Sequence, residues 1–326
     1  MRWLTDNPET AAGFLPSSVC WQPAGDLLTE SDRALAPWLA EERPLWLADV
    51  EEAEACYARR RWVVIDHAEQ SQFSALLDAL KAGLSLPDGL VALALTGRRF
   101  HGQRQRPWSA VRGNLHLTVH YPLAGPADRL QAGLAMAPAV AVAEAIQAVS
   151  AGRLQPAIKW TNDVLINGCK VAGVLTSTTI ENRQIQHVLF GVGVNVASVP
   201  DLVPSPWAPP PGALAAFDPA LAGAMPSVLA AVVRALDDAV ELLRVGDSAS
   251  LFERYRNRAA FLDREVSIWP DASPDGATAV PLARGRVVEL HPDLSLRLAG
   301  VAAPVTSGRM VLEDGRGWRC DLSGKP

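Results

Sequence analysis

The side chains best suited to chemistry gather in residues 159–175. Lys159, Asn162, Asp163 and Lys170 interrupt a run whose other members include Val164, Ile166, Val171, Val174 and Leu175. Unpaired charge is costly to bury, so these four must line a cleft or pair with one another or with a ligand. Two fixed cations beside a carboxylate and an amide suit an anionic, phosphate-bearing intermediate, because they offset charge that builds during reaction. The competing reading is a structural ion-pair set, yet satisfying one carboxylate does not require two lysines. Cys169 abuts Lys170, and a thiol beside a lysine can be activated. Neighbours on a strand point to opposite faces, so with Lys170 toward the site Cys169 is expected to pack in the core.

A second concentration lies between Gly97 and Trp108, where Arg98, Arg99, Arg104 and Arg106 are interleaved with His101, Gly102 and Gln103. Backbone amides and arginines in one loop suit closure over an anion. A solvated basic loop is the alternative. The position between two core strands argues against it.

These residues need elements to hold them. Residues 159–175 read as a β-hairpin turning at Asn167-Gly168, a sequence that favours the left-handed hairpin turn. A strand over 61–66 precedes a helix over 71–80, with Leu76, Leu77 and Leu80 at helical spacing; Ser71 is either its N-cap or a ligand group. A strand over 90–95 enters the arginine loop and an alternating strand over 112–119 leaves it. Ala92–Thr96 and the histidines His101 and His116 are candidates for a pocket wall. An Ala-rich helix over 130–149 should pack on the sheet through Met136, Val140, Ala143 and Ile146. A glycine-bearing strand over 191–196, a Pro-rich loop over 204–211 and a helix over 226–243 complete this part. Strands over 265–269, 285–290, 294–298 and 309–312 suggest a small barrel.

The chain has 326 residues, 49% hydrophobic and 20% charged, with a net charge of −5, which describes a globular protein of more than one unit. The acidic balance argues against a surface that coats nucleic acid. Residues 1–60 hold a helix candidate over 30–39 but no basic recognition helix, and Glu51, Glu52 and Glu54 add negative charge, so specific DNA binding is not expected. Cys20, Cys56, Cys169 and Cys320 lie far apart, which reads as reduced thiols and neither a disulfide framework nor a zinc site. Neither a signal sequence nor an apolar run of transmembrane length is seen. A cytoplasmic location is expected.

Lys159-Trp160-Thr161-Asn162-Asp163 followed by Lys170-Val171-Ala172-Gly173-Val174-Leu175 resembles the biotin protein ligase family, in which a Lys-Trp-Pro-Asn-Asp segment precedes a Lys-x-Ala-Gly-Ile/Val-Leu strand. Thr161 stands at the usual Pro. Gly191-Val192-Gly193-Val194-Asn195-Val196 looks like the family's Gly-x-Gly-x-Asn-Val strand, and Gly113-Asn114-Leu115 like its Gly-Asn-Leu strand. Ser71-Gln72-Phe73 occupies the place of a Ser-Thr-Asn/Gln triplet that binds biotin. The family loop reads Gly-Arg-Gly-Arg-x-Gly-Arg-x-Trp. Anchored on Trp108, Arg106, Arg104 and Gly102 fall on family positions, while His101 and Gln103 replace arginines. Anchored on Gly97, Arg98 and Gly102 match but an insertion is needed. The first register is preferred because it needs no gap.

The resemblance spans roughly residues 62 to 315 and implies an α/β fold: a mixed β-sheet flanked by helices, then a small C-terminal SH3-like β-barrel. It divides the chain into an N-terminal segment of unread role (1–60), a ligase-like domain (61–258) and a β-domain (259–326). The implied activity is ATP-dependent formation of biotinyl-5′-AMP and transfer to a lysine of a biotin carboxyl carrier domain. Lys170 would contact the activated carboxyl and phosphate, with Arg104 and Arg106 closing the loop. Ser71, Gln72, His101, Gly102, Gln103, Trp108, Gly173, Gly193 and Asn195 would bind substrate or nucleotide. Lys159, Asn162 and Asp163 would form the nucleotide end, with Asp163 the Mg²⁺ ligand. A homodimer is compatible with this scheme. Alternatives are a ligase or transferase for lipoate or another acyl group, or a non-catalytic carrier-binding homologue.

Overall fold

The computed structural model describes residues 1–15, 19–40, 43–50, 60–202, 205, 207–271, 280–313, 318 and 320. Glu51, Glu52, Glu54, Cys56 and Pro204 lie outside the described residues. The first fifty residues supply β1 (Arg2–Thr5), α1 (Pro8–Ala11), β2 (Gln22–Pro23), α2 (Glu30–Ala40) and β3 (Trp46–Asp49). Then follow β4 (Arg61–Ala68), α3 (Gln72–Lys81), β5 (Val91–Gly97), β6 (Leu115–Pro126), α4 (Ala127–Val149), β7 (Ala157–Lys159), β8 (Asp163–Ile166), β9 (Cys169–Glu181) and β10 (Gln184–Val194). All ten strands join one sheet in the order β2-β3-β1-β4-β5-β6-β10-β9-β8-β7. β4 runs parallel to both β1 and β5, whereas the other pairs are antiparallel.

The central strands are apolar at every position because both faces of the sheet are covered. Val91, Leu93 and Leu95 of β5 enter one core with α4, while Ala92 and Ala94 enter a second core with α2 and α3. Trp62 and Val64 of β4 divide from Val63 and Ile65 in the same way. The first core is closed by α5 (Leu214–Phe217), α6 (Met225–Arg244) and α7 (Ser248–Arg256). Val228, Val232, Leu236, Val240 and Leu243 form the buried stripe of α6 at helical spacing. α4 lies between the sheet and α6. It is long and apolar enough to cross a membrane by length and composition. This corrects the expectation that no apolar run reaches that length; its all-round hydrophobicity follows from burial on several sides.

The N-terminal segment extends the sheet. Trp3 stacks on Trp62 with ring centroids 4.6 Å apart. Asp32 of α2, fully buried, accepts the Thr29 hydroxyl at 2.7 Å and pairs with Arg2 at 3.4 Å and with Arg61. That ionic knot fastens α2 to β1 and β4.

Two strand ends differ from expectation. Residues 112–114 form a turn before β6, with Gly113 at φ +89. The Asn114 carboxamide oxygen accepts the N–H groups of Val196, Ala197 and Ser198 at 3.0, 3.2 and 3.0 Å, which couples this turn to the one after β10. β10 stops at Val194 because the Asn195 N–H donates to Val171 O at 2.7 Å, out of the β6 ladder.

β11 (Glu265–Trp269), β12 (Ala283–Leu290), β13 (Leu296–Leu298) and β14 (Arg309–Leu312) form a small four-stranded sheet in the order β13-β12-β11-β14. Barrel closure is not seen among the described residues. Cys169 and Cys320 are joined by a disulfide across 151 residues of sequence, while Cys20 is free and exposed. The expectation of separate reduced thiols is thereby corrected; a pairing set by tertiary approach leaves no spacing signal.

Candidate functional site

The hairpin at 159–175 is held at both ends. Asn167 (φ 45) and Gly168 (φ 78) take the left-handed turn that their types favour. At the other end the Tyr255 hydroxyl donates to Thr161 O at 2.9 Å, and the Trp160 indole donates to Leu294 O of the small sheet at 2.8 Å. The Asn162 amide donates to Val174 O at 2.7 Å, and the Val174 N–H returns to Asn162 O at 3.0 Å. These bonds fix the strands that carry the two lysines.

One carboxylate stands between them. Lys170 Nζ lies 2.6 Å from Asp163 Oδ1, and Lys159 Nζ lies 3.7 Å from Asp163 Oδ2. Burial opposes ionisation of Asp163, but Lys170 and then Lys159 outweigh it and hold the carboxyl below its ordinary range. Burial, then repulsion from Lys170 and Arg106, lowers the Lys159 pKa against the pull of Asp163. Lys159 is enclosed, with Nζ 5.8 Å from the Trp318 ring centroid. Lys170 is a quarter exposed and sits 5.6 Å from the Trp108 centroid. Of the two cations, Lys170 is the one presented to a ligand.

Lys170 opens onto a cavity of about 740 Å³, counting space open to solvent. Gly173, Gly191 and Gly193 on β9 and β10 form part of its wall. A Cβ on Gly193 would overlap the Trp108 indole, one on Gly191 would come 2.9 Å from Phe73, and one on Gly173 would come 3.2 Å from Lys170 and Trp108. The bare backbone thus lets Trp108 lie against the strands. Its indole donates to His116 Nδ1 at 3.2 Å, and His116 Nε2 lies 3.2 Å from Val111 O, which fixes the Nε2–H tautomer. Burial pushes the His116 pKa down to about 4, so the ring is neutral near pH 7.

The arginine loop folds back on itself over the cavity. Gly97 bridges to Ala110 and His101 to Pro107, and the Gly102 N–H donates to Arg106 O at 2.8 Å. His101 Nε2 lies 2.9 Å from Ser74 Oγ, which lies 2.9 Å from Ser71 Oγ at the start of α3. Arg106 reaches the cavity wall. Arg99 turns away and donates to Glu69 O at 2.9 Å. The tip residues Arg104 (φ 58) and Gln105 (φ 59) are left-handed.

The structure brings most of the anticipated residues to one wall. Ser71, Gln72, His101, Gly102, Gln103 and Arg106 line the cavity from α3 and the loop. Trp108, Asn162, Asp163, Lys170, Gly173 and Gly193 line it from the other side. Ser71 is both a wall residue and the N-cap of α3, accepting the Ser74 N–H at 3.2 Å. Three expected residues are off the wall. Arg104 turns outward to pair with Asp271, Lys159 is buried behind Asp163, and the Asn195 amide is taken by Gly212 O at 2.9 Å. Ala92–Thr96 also lies off the wall: residues 92–95 enter the two cores, and the Thr96 hydroxyl donates to Asp66 O at 2.9 Å. Phe73 of the expected triplet lines the cavity, and so do Thr118, Gly191 and Val192, which were missed as site residues. The legible signal was His116 and Thr118 at alternate positions of an apolar strand, which puts two polar groups on one face.

A magnesium role for Asp163 does not fit its surroundings. Both carboxylate oxygens face lysines.

Residues 86–195, which include the loop, β6, the hairpin and β10, match the family model described as the biotin/lipoate A/B protein ligase family. Over these residues the chain is similar to that family. It is 36% identical over 136 residues to the biotin–[acetyl-CoA-carboxylase] ligase of Paracoccus denitrificans, covering 41% of this chain and 56% of that protein. It is 33% identical over 128 residues to the bifunctional ligase/repressor BirA of Bacillus subtilis, covering 38% of this chain and 37% of that one. The chain therefore spans about half or less of these curated relatives. The biotin protein ligase of Aquifex aeolicus in complex with biotin and ATP superposes with a TM-score of 0.57 at 17% identity, covering 77% of this chain and 98% of that one. Its apo structure gives 0.56 at 15% identity, covering 78% and 99%. Such similarity shows a shared fold.

Proposed function

We propose that this protein is an ATP-dependent biotin–carrier protein ligase that forms biotinyl-5′-AMP and passes the biotinyl group to a lysine of a biotin carboxyl carrier domain. The observation that carries the reading is Lys170, oriented by Asp163 and Trp108 toward a cavity whose wall also contains Arg106. In the first step a carboxylate oxygen of the acid attacks the α-phosphorus and pyrophosphate leaves. Negative charge grows on the α-phosphate oxygens, and Lys170 and Arg106 stabilise it. Phe73, Leu117, Val174 and Leu175 offer apolar surface to the acyl chain, while Ser71, Gln72 and Thr118 offer hydrogen bonds to a polar head such as a ureido ring. In the second step the carrier lysine amine attacks the acyl carbonyl carbon and AMP leaves. The loop, fastened to α3 through His101 and Ser74, keeps water from the mixed anhydride until then. The small four-stranded sheet is read as the SH3-like barrel of such a ligase.

The test is ATP–pyrophosphate exchange with biotin, lipoate or octanoate supplied in turn. Exchange that depends on biotin supports the proposal. Exchange with lipoate or octanoate alone reassigns the acid, and no exchange with any of them points to a binding protein.

A further inference from the structure

The small sheet reaches back to the arginine loop through a single carboxylate. Asp271 follows β11, pairs with Arg104, and stands 3.6 Å from Arg106 Nη2. Arg309, at the start of β14, donates from Nη2 to the Asp271 carbonyl and so braces it from behind. Arg309 also lies close enough to disfavour charge on Arg104 and Arg106, each of which is already lowered first by burial. Three guanidinium groups therefore surround one acidic residue.

The loop needs such an anchor. Arg104 and Gln105 are consecutive left-handed residues without glycine, a backbone conformation disfavoured for any residue that carries a Cβ. Among the described residues, Arg104 has no other ion-pair partner. Arg106 stands between two carboxylates, Asp163 inside the cavity and Asp271 outside it. We propose that Asp271 is a positioning residue: its carboxylate latches the arginine loop from the small sheet, fixing the tip and aiming Arg106 at the phosphate site. Its consequence for adenylate retention rests on the ligase reading above, but the latch itself does not.

The first experiment needs no substrate. Trypsin can cut the Arg104–Gln105 bond only when the tip opens, so the cleavage rate reports latch opening. It is normalised to cleavage after Lys81, which is exposed at the end of α3. Asp271→Asn should speed cleavage after Arg104 by roughly two- to fivefold, the effect of one partly exposed ion pair. Asp271→Glu should restore protection. Added salt should speed wild-type cleavage and leave the Asn variant unchanged, because only the wild type has a pair to screen. Equal normalised cleavage in wild type and Asp271→Asn overturns the proposal, as does failure of Glu to restore protection. The second experiment measures ATP-dependent exchange. Asp271→Asn should lower kcat with little change in the KM for ATP, because Arg106 is aimed at charge that builds during the reaction, and Glu should reverse it. Absence of exchange in wild type sinks the ligase reading while the cleavage comparison still decides the latch.

Discussion

Lys159 and Lys170 share one carboxylate, yet only Lys170 faces the cavity, and the difference lies in what covers each ammonium. Lys170→Ala should lower adenylate formation by roughly two to three orders of magnitude, the loss of one stabiliser of developing charge. Exchange at the wild-type rate in the folded variant would remove Lys170 from the mechanism. Gln103 lines the cavity and, in the ungapped register expected from the sequence, replaces an arginine; a neutral amide retains an anion poorly. Biotinylation of an unrelated lysine-rich protein, read on a streptavidin blot, should fall in Gln103→Arg while transfer to a carrier domain persists. The polar residues of 159–175 were legible because they break an apolar pattern. The outward turn of Arg104 was not, since the direction of a side chain at a left-handed tip depends on Asp271, 167 positions away by the difference of the two residue numbers.

At the scale of elements, β6 carries a second buried histidine besides His116. His120 lies 2.8 Å from Pro87 O and 3.0 Å from His187 Nδ1, and burial pushes its pKa down to about 4 from 6.5. Between these values the unfolded chain binds protons that the folded chain refuses. Stability should therefore be full above pH 6.5 and fall as the pH drops toward 4, by up to about 3 kcal/mol for each such histidine. Urea titrations at pH 7 and pH 5 should show the loss, and His120→Gln should reduce it. An unchanged slope would remove His120 from the account. Helices and strands themselves were legible from periodicity: β11 and β14 span the expected residues, and α4 and α6 differ only at their ends. The end of β10 was hidden because Asn195 leaves the ladder for partners far away in sequence.

At the scale of the molecule, the first fifty residues gave no sequence signal of their role, and the structure makes them the edge of the main sheet. Their joint is the buried Asp32, placed between Arg2 and Arg61. Asp32→Ala would leave Arg61 without its carboxylate, while Arg2 keeps Asp49, and should cost about 3–5 kcal/mol in a denaturant titration. A loss under about 1 kcal/mol would mean that the Trp3–Trp62 stack holds the segment unaided.

The bond between Cys169 and Cys320 closes a covalent ring that contains β9, β10, α5 to α7 and all four strands of the small sheet. Cuts inside and outside that ring have different outcomes. A protease site placed at Gly246, between α6 and α7, lies inside the ring, so the cut chain should run as one species on a denaturing gel until a thiol is added. A site at Gly83, after α3, lies outside it, and its two fragments should separate with or without reductant. Two fragments from the Gly246 cut without reductant would show that the ring is open.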